Sequence, residues 1–231
     1  MLESISNYDM LGIGLALIML VLGSVIDNWK REIHDYYWII FGSVGFLLIF
    51  TSLDIISDLV SMGIALIIAP FVILVWRIGL FGGADAFALI ALAVIAPMAT
   101  FTELPISPFT TLSNAAILFV VPFFVNILRN VIAKVRGENI FKDFDETILK
   151  KIVAVLMGYR AKKPKFGFAI EKTEKGRKKF DFAIHHAENQ EFCTTPNTWI
   201  TPGVPYLLLI TGGFAIQLFY GDIILSQILG I

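Results

Sequence analysis

Residues 77–92 read RIGLFGGADAFALIAL, and whether they interrupt one membrane-spanning helix or separate two decides the fold. Apolar runs lie on either side, at about 59–78 and 85–101, with Gly79, Gly82 and Gly83 between them. Inside lipid an unpaired backbone group costs several kcal/mol, so such a break belongs at an interface or in a protein-lined cavity. The same reasoning applies to Asp85, a carboxylate at the head of an apolar helix, where ionisable groups are expensive.

Working outward, the rest of the chain has the same lipid-like character. Of its 231 residues 57% are hydrophobic and 16% are charged, and the mean hydropathy is +0.78; soluble domains carry about a quarter charged residues. A transmembrane helix needs roughly 17–25 mostly apolar residues. Segments at about 9–27, 36–53, 59–78, 85–101, 109–128 and 203–221 meet that requirement, which predicts an all-α bundle of six spans. The opening MLESISNYDM is acidic and precedes an apolar run too long for a secretory signal, so it reads as a first span that stays.

The basic residues set the orientation. Of 18 Lys and Arg, Lys30 and Arg31 follow the first span and Arg77 follows the third; the other 15 lie between Arg129 and Lys179. With six spans, all these connections fall on one side. The other side holds Glu3, Asp54, Asp58, Glu103 and Asp222 and no Lys or Arg. The positive-inside rule then places both termini outside and the basic connections in the cytoplasm of a multi-pass cell-membrane protein.

Residues 129–200 are the part suited to water, a small cytosolic α+β subdomain between spans five and six. The domain organisation expected is thus 1–128, 129–200 and 201–231. ENIFKDFDETILKKIVAVLMGY (138–159) has helical spacing, and KFGFAIE (165–171) and KKFDFAI (178–184) alternate around KTEKGR (172–177) as a β-hairpin. The run EKGRKK (174–179) could meet anionic lipid headgroups, but it is too short and too interleaved with acids for nucleic acid. His185 and His186 lack zinc-like spacing with Cys193 and His34, and the single cysteine excludes an internal disulfide. Gly212 and Gly213 suit close helix packing.

The charge partition puts Asp27 and Asp85 on the same side at similar depth. Two aspartates able to approach one another suggest an aspartic-protease dyad sharing one proton and titrating as a unit. Gly82 and Gly83 would permit positive φ and a close substrate backbone. The plainer alternatives are a solvated helix end for Asp27, beside Lys30 and Arg31, and an N-terminal cap for Asp85. Asp35 is the other candidate for the first position.

FGGADAFALIALA (81–93), SVIDNWKREIHD (24–35) and TPGVPYLLLITGGF (201–214), in that relation, resemble the GxGD-type type IV prepilin peptidases and archaeal preflagellin peptidases. The resemblance implies a membrane aspartic endopeptidase with Asp27 and Asp85 catalytic. Lys30 is then the following basic residue, and Ile33, His34 and Asp35 form the I-x-[ND] element. It implies no cofactor or metal. Its partners would be the bilayer and pilin-like or archaellin precursors, whose short basic leader is cut on the cytoplasmic side just before an apolar helix. Ala84 stands where the family has glycine, and alanine resists a left-handed backbone. The alternative from another class is a small ion or proton-coupled transporter using the same aspartates.

Overall fold

The computed structural model describes residues 6–101, 108–174, 177–182, 191–224 and 227. Two compact units divide the chain: Met1–Leu118 with Pro205–Ile231, and Phe119–Val204.

In the first unit, α1 (Asn7–Lys30) starts where the Ser6 hydroxyl accepts the Asp9 N–H at 3.1 Å, and ends at Arg31, whose left-handed φ of 59° returns its N–H to the Asp27 carbonyl. Next come α2 (Asp35–Leu48), extended by a 3-10 turn at Ile49–Thr51, and α3 (Ile55–Ala65) with α4 (Ile68–Arg77). The break at Leu66–Ile67 follows from Pro70, which has no N–H for the Leu66 carbonyl; that carbonyl takes the Ala69 N–H at 2.9 Å instead. After α5 (Gly83–Ile95) and α6 (Pro108–Leu118), the unit closes with α9 (Tyr206–Tyr220).

The molecule is mostly helical, and among the described residues three helical stretches are long and apolar enough to cross a membrane: Asn7–Lys30, Ile55–Arg77 and Pro108–Val135. Asp35–Thr51, Gly83–Ile95 and Tyr206–Tyr220 are apolar but shorter. The span expected at 85–101 stops as a helix at Ile95, because Pro97 biases Ala96 out of the helical region, to φ −144° and ψ 65°. Backbone groups beyond that point are met from within the unit: Gln217 Nε2 donates to the Ala99 carbonyl at 2.8 Å, and the Phe101 N–H reaches the Leu218 carbonyl at 2.9 Å.

Small residues bring the helices together. A methyl group on Gly12 would lie 2.6 Å from the Ile95 carbonyl oxygen, and one on Gly45 would strike the Ile95 side chain. One on Gly213 would strike the Thr111 carbonyl and lie 2.8 Å from the Ala115 nitrogen, so α6 and α9 meet backbone to backbone. The Ser24 and Thr211 hydroxyls share a 2.7 Å hydrogen bond between α1 and α9.

Among its described residues the second unit holds α7 (Val121–Val135), α8 (Ile148–Met157) and five short strands: β1 (Tyr159–Ala161), β2 (Gly167–Ala169), β3 (Glu171–Glu174), β4 (Arg177–Phe180) and β5 (Thr198–Pro202). Its core is Trp199, whose indole N–H donates to the Ile140 carbonyl at 2.9 Å and whose ring stacks on Phe141 with centroids 5.4 Å apart. Two expectations are corrected here. The helix in 138–159 occupies only Ile148–Met157, because Thr147 caps it by accepting the Lys150 N–H. The hairpin is the shorter pair β3–β4, in register Glu171↔Phe180, whereas β2 pairs with β5 in the order β1-β5-β2. His185 and His186 lie outside the described residues.

Candidate active site

The turn between α4 and α5 comes first. Gly79, at φ 80°, follows the end of α4 and donates its N–H to the Trp76 carbonyl at 2.8 Å, a left-handed helix stop that favours glycine. Gly82 then takes the extended N-cap position of α5, at φ −73° and ψ 153°, and Gly83 and Ala84 are already helical. Positive φ is therefore needed at Gly79 and not at Gly82 or Gly83. Their small size has other uses. A methyl group on Gly82 would lie 3.2 Å from Asp85 Oδ2, and one on Gly83 would press on the Trp76 ring at 3.4 Å. Ala84 adopts the ordinary right-handed backbone, so alanine in place of the family's glycine carries no strain there.

Asp85 is buried, at 9% exposure, and its Oδ2 accepts the Gly82 N–H at 3.2 Å. An acid in the first helical turn meets the unpaired N–H groups and the positive end of the helix dipole. The phenol of Tyr206, the first residue of α9, lies within electrostatic reach of this carboxylate, and its ring packs on Phe81 with centroids 5.0 Å apart.

Asp27 sits half-buried on the last turn of α1. The helices fix where it lies relative to Asp85. α1 and α5 touch at Gly12 and Ile95; Gly23, toward the other end of α1, meets Leu207 at the head of α9, and Tyr206 beside it packs on Phe81 just ahead of α5, so the C-terminal end of α1 and the N-terminal end of α5 share one end of the unit. Counting from that contact at about 1.5 Å per residue, Asp27 is roughly 22 Å along α1 and Asp85 roughly 15 Å along α5. Both aspartates therefore lie toward the same end of the unit. The Ser24–Thr211 bond gives the same picture through α9, since it brings Tyr206 to the level of Asp27.

The remaining candidates surround this end. Lys30 is exposed at the end of α1, and Asp35 is exposed at the first position of α2. Trp29 and Tyr36, 77% and 76% exposed, flank them, as aromatic side chains do at a membrane–water boundary. Tyr206 and Phe81 went unnoticed from sequence as parts of the site. The available signal was an aromatic with a polar tip directly after Pro205, at the head of an apolar run.

One end of the helical unit thus carries a half-buried carboxylate, a buried carboxylate and a phenol. No model of a known protein family matches the chain. It is 26% identical over 230 residues to a preflagellin peptidase of Methanococcus maripaludis (strain C6 / ATCC BAA-1332), covering 90% of this chain and 94% of that protein. It is also 26% identical over 243 residues to a preflagellin peptidase of Methanococcus voltae, covering 95% of this chain and 99% of the relative. Both similarities run across nearly the whole of each chain, so what the chain resembles is a preflagellin peptidase along its length.

Proposed function

We propose that this chain is a membrane-embedded aspartic endopeptidase that removes the short basic leader from archaellin or pilin-like precursors at the cytoplasmic membrane face. The observation that carries the reading is the placement of Asp27 and Asp85 at one end of the helical unit, in a chain aligned end to end with preflagellin peptidases. All six apolar segments serve as spans in this reading, the shorter helices completing their crossing with the non-helical residues at their ends. Residues 129–200 face the cytoplasm, and both termini lie outside.

The chemistry follows from a shared proton. With one carboxyl ionised and one protonated, the ionised member accepts a proton from water while the protonated member polarises the scissile carbonyl. The hydroxide equivalent adds to the carbonyl carbon. A proton then passes to the leaving nitrogen as the C–N bond breaks, releasing the leader as an acid and the mature chain as an amine. A polar leader joined to an apolar helix puts its scissile bond at the membrane boundary, the level marked by Trp29 and Tyr36.

The test is leader removal from a co-expressed preflagellin precursor, read by gel mobility, with Asp27→Asn and Asp85→Asn made separately. Both should abolish processing while the protein still accumulates in membranes. Complete processing by either variant would overturn the two-aspartate mechanism.

A further inference from the structure

α8 is turned inside out for a helix of a water-soluble unit. Ile148, Leu149 and Ile152 are 78%, 71% and 52% exposed, and Leu156 is exposed with them. At about 100° per residue these positions form one stripe. The opposite side holds Ala154, fully buried toward the Trp199 core, with Lys150 and Lys151 flanking it. Lys150 pairs with Glu146 at 3.0 Å, and the Lys151 ammonium stands 5.7 Å from the Phe141 ring centre. The lysines are thus held by the unit's own surface, and the apolar stripe faces away from it.

Two features identify what covers that stripe. α8 is pinned to α7: Asn126 donates to the Leu156 carbonyl at 3.1 Å, and Asn130 donates to the carbonyls of Val155 and Gly158 at 3.3 and 2.8 Å. α7 belongs to the stretch Pro108–Val135, itself long and apolar enough to cross a membrane, and its Phe124 and Leu128 are also exposed. Lipid around α7 is therefore within reach of α8. Charge agrees, since residues 129–165 carry ten Lys and Arg against four Asp and Glu.

We propose that α8 lies in the headgroup layer of an anionic bilayer, with Ile148, Leu149, Ile152 and Leu156 toward the acyl chains and the surrounding basic residues toward the headgroups. Amphipathic helices with a basic rim bind membranes in this way, their apolar face sunk roughly 5–10 Å below the headgroup boundary. The basic hairpin, whose sequence also suits headgroups, spends much of its charge on neighbouring acids. Lys172 pairs with Glu174 and Asp181, Lys178 with Glu171, Lys179 with Glu174, and Arg177 with Asp145. The proposal rests on reading the chain as a membrane protein and does not depend on its being a peptidase.

The test uses the full chain in nanodiscs of mixed phosphatidylcholine and phosphatidylglycerol, carrying Cys193→Ser and one spin label at position 148, 149, 150, 152 or 156. Labels at 148, 149, 152 and 156 should relax with oxygen and resist a water-soluble nickel chelate, whereas the label at 150 should show the reverse. Omitting phosphatidylglycerol should raise nickel access at the four apolar positions severalfold. Equal nickel access at all five positions would place α8 in water and overturn the proposal. Exclusion of both reagents would place protein over the stripe and overturn it equally. Each labelled variant is also assayed for precursor cleavage. A lipid-exposed profile in a chain that cleaves no precursor upholds the placement of α8 and counts against the peptidase reading alone.

Discussion

The ring of Tyr206, at the head of α9, packs on Phe81, in the turn that delivers Asp85. The contact ties the start of one helix to the start of another, although the two residues are far apart in sequence. It also sets a phenol within electrostatic reach of a buried carboxylate.

Removing that phenol should change the site and not only the fold. Tyr206→Phe keeps the ring on Phe81 and removes the hydroxyl, so the acid limb of the processing rate against pH should move while protein levels hold. Tyr206→Ala should lower processing about tenfold, a loss of about 1.4 kcal/mol in the barrier. An unchanged pH profile in the phenylalanine variant would reduce Tyr206 to a packing residue.

Ala84→Gly restores the family's glycine at a position that needs no special backbone. The variant should process precursor no faster than the parent. It should melt lower, by up to about 1 kcal/mol of helix propensity and less than that in a first turn. A clear gain in rate would mean that the loop leaves the helical conformation during turnover.

Gly213→Ala places a methyl group against the Thr111 carbonyl and the Ala115 nitrogen, both backbone atoms that cannot step aside. Overpacking of this kind costs about 1–3 kcal/mol. Thermal unfolding in detergent should register it. Gly42→Ala, where a methyl group meets nothing within 4 Å, is the control and should be close to neutral.

In the second unit Glu174 is held down to a pKa of about 2 by hydrogen bonds from Lys179 and then Lys172. A depressed carboxylate contributes its stability fully above its unfolded value of about 4.3 and loses it as pH falls through the folded value. The β3–β4 hairpin should therefore hold at neutral pH and loosen between about pH 4 and 2. The effect is small, because the pair is exposed to water. A carboxyl-carbon NMR titration of Glu174 should show a midpoint near the depressed value, and Lys179→Met should raise it. An ordinary midpoint in the parent protein would show that these ion pairs do not persist in solution.

Local rules that the sequence states openly were legible. Asp85, at the head of an apolar run, reads as the acid of a helix start, and it sits in the first turn of α5. The misreadings came where a distant segment decides. Hydropathy carries the fourth apolar run to residue 101, but Pro97 ends its helix, and the freed backbone is tolerable only because Gln217 and Leu218 fold back onto it. The alternation of KFGFAIE pointed to the strand next in sequence, yet Gly167–Ala169 pairs with Thr198–Pro202, a partner that no local periodicity reveals. The spacing of 148–157 showed an amphipathic helix without showing which side turns outward, because that depends on whether the solvent is water or lipid. Charge partition put both aspartates on one side of the membrane, whereas nothing local pointed to Tyr206, since only tertiary packing brings it to Phe81.

The seam at Ile95 is unlike the opposite end of the unit. There Gly12 and Gly45 let helix surfaces close on Ile95 with no side chain of their own between them. At the other end the contacts run through side chains: Leu207, Trp38 and Tyr37 around Gly23, the Ser24–Thr211 hydrogen bond and the Phe81–Tyr206 ring pair. Parting the helices at Ile95 would separate backbones, whereas at the aspartate end only side-chain contacts would have to give.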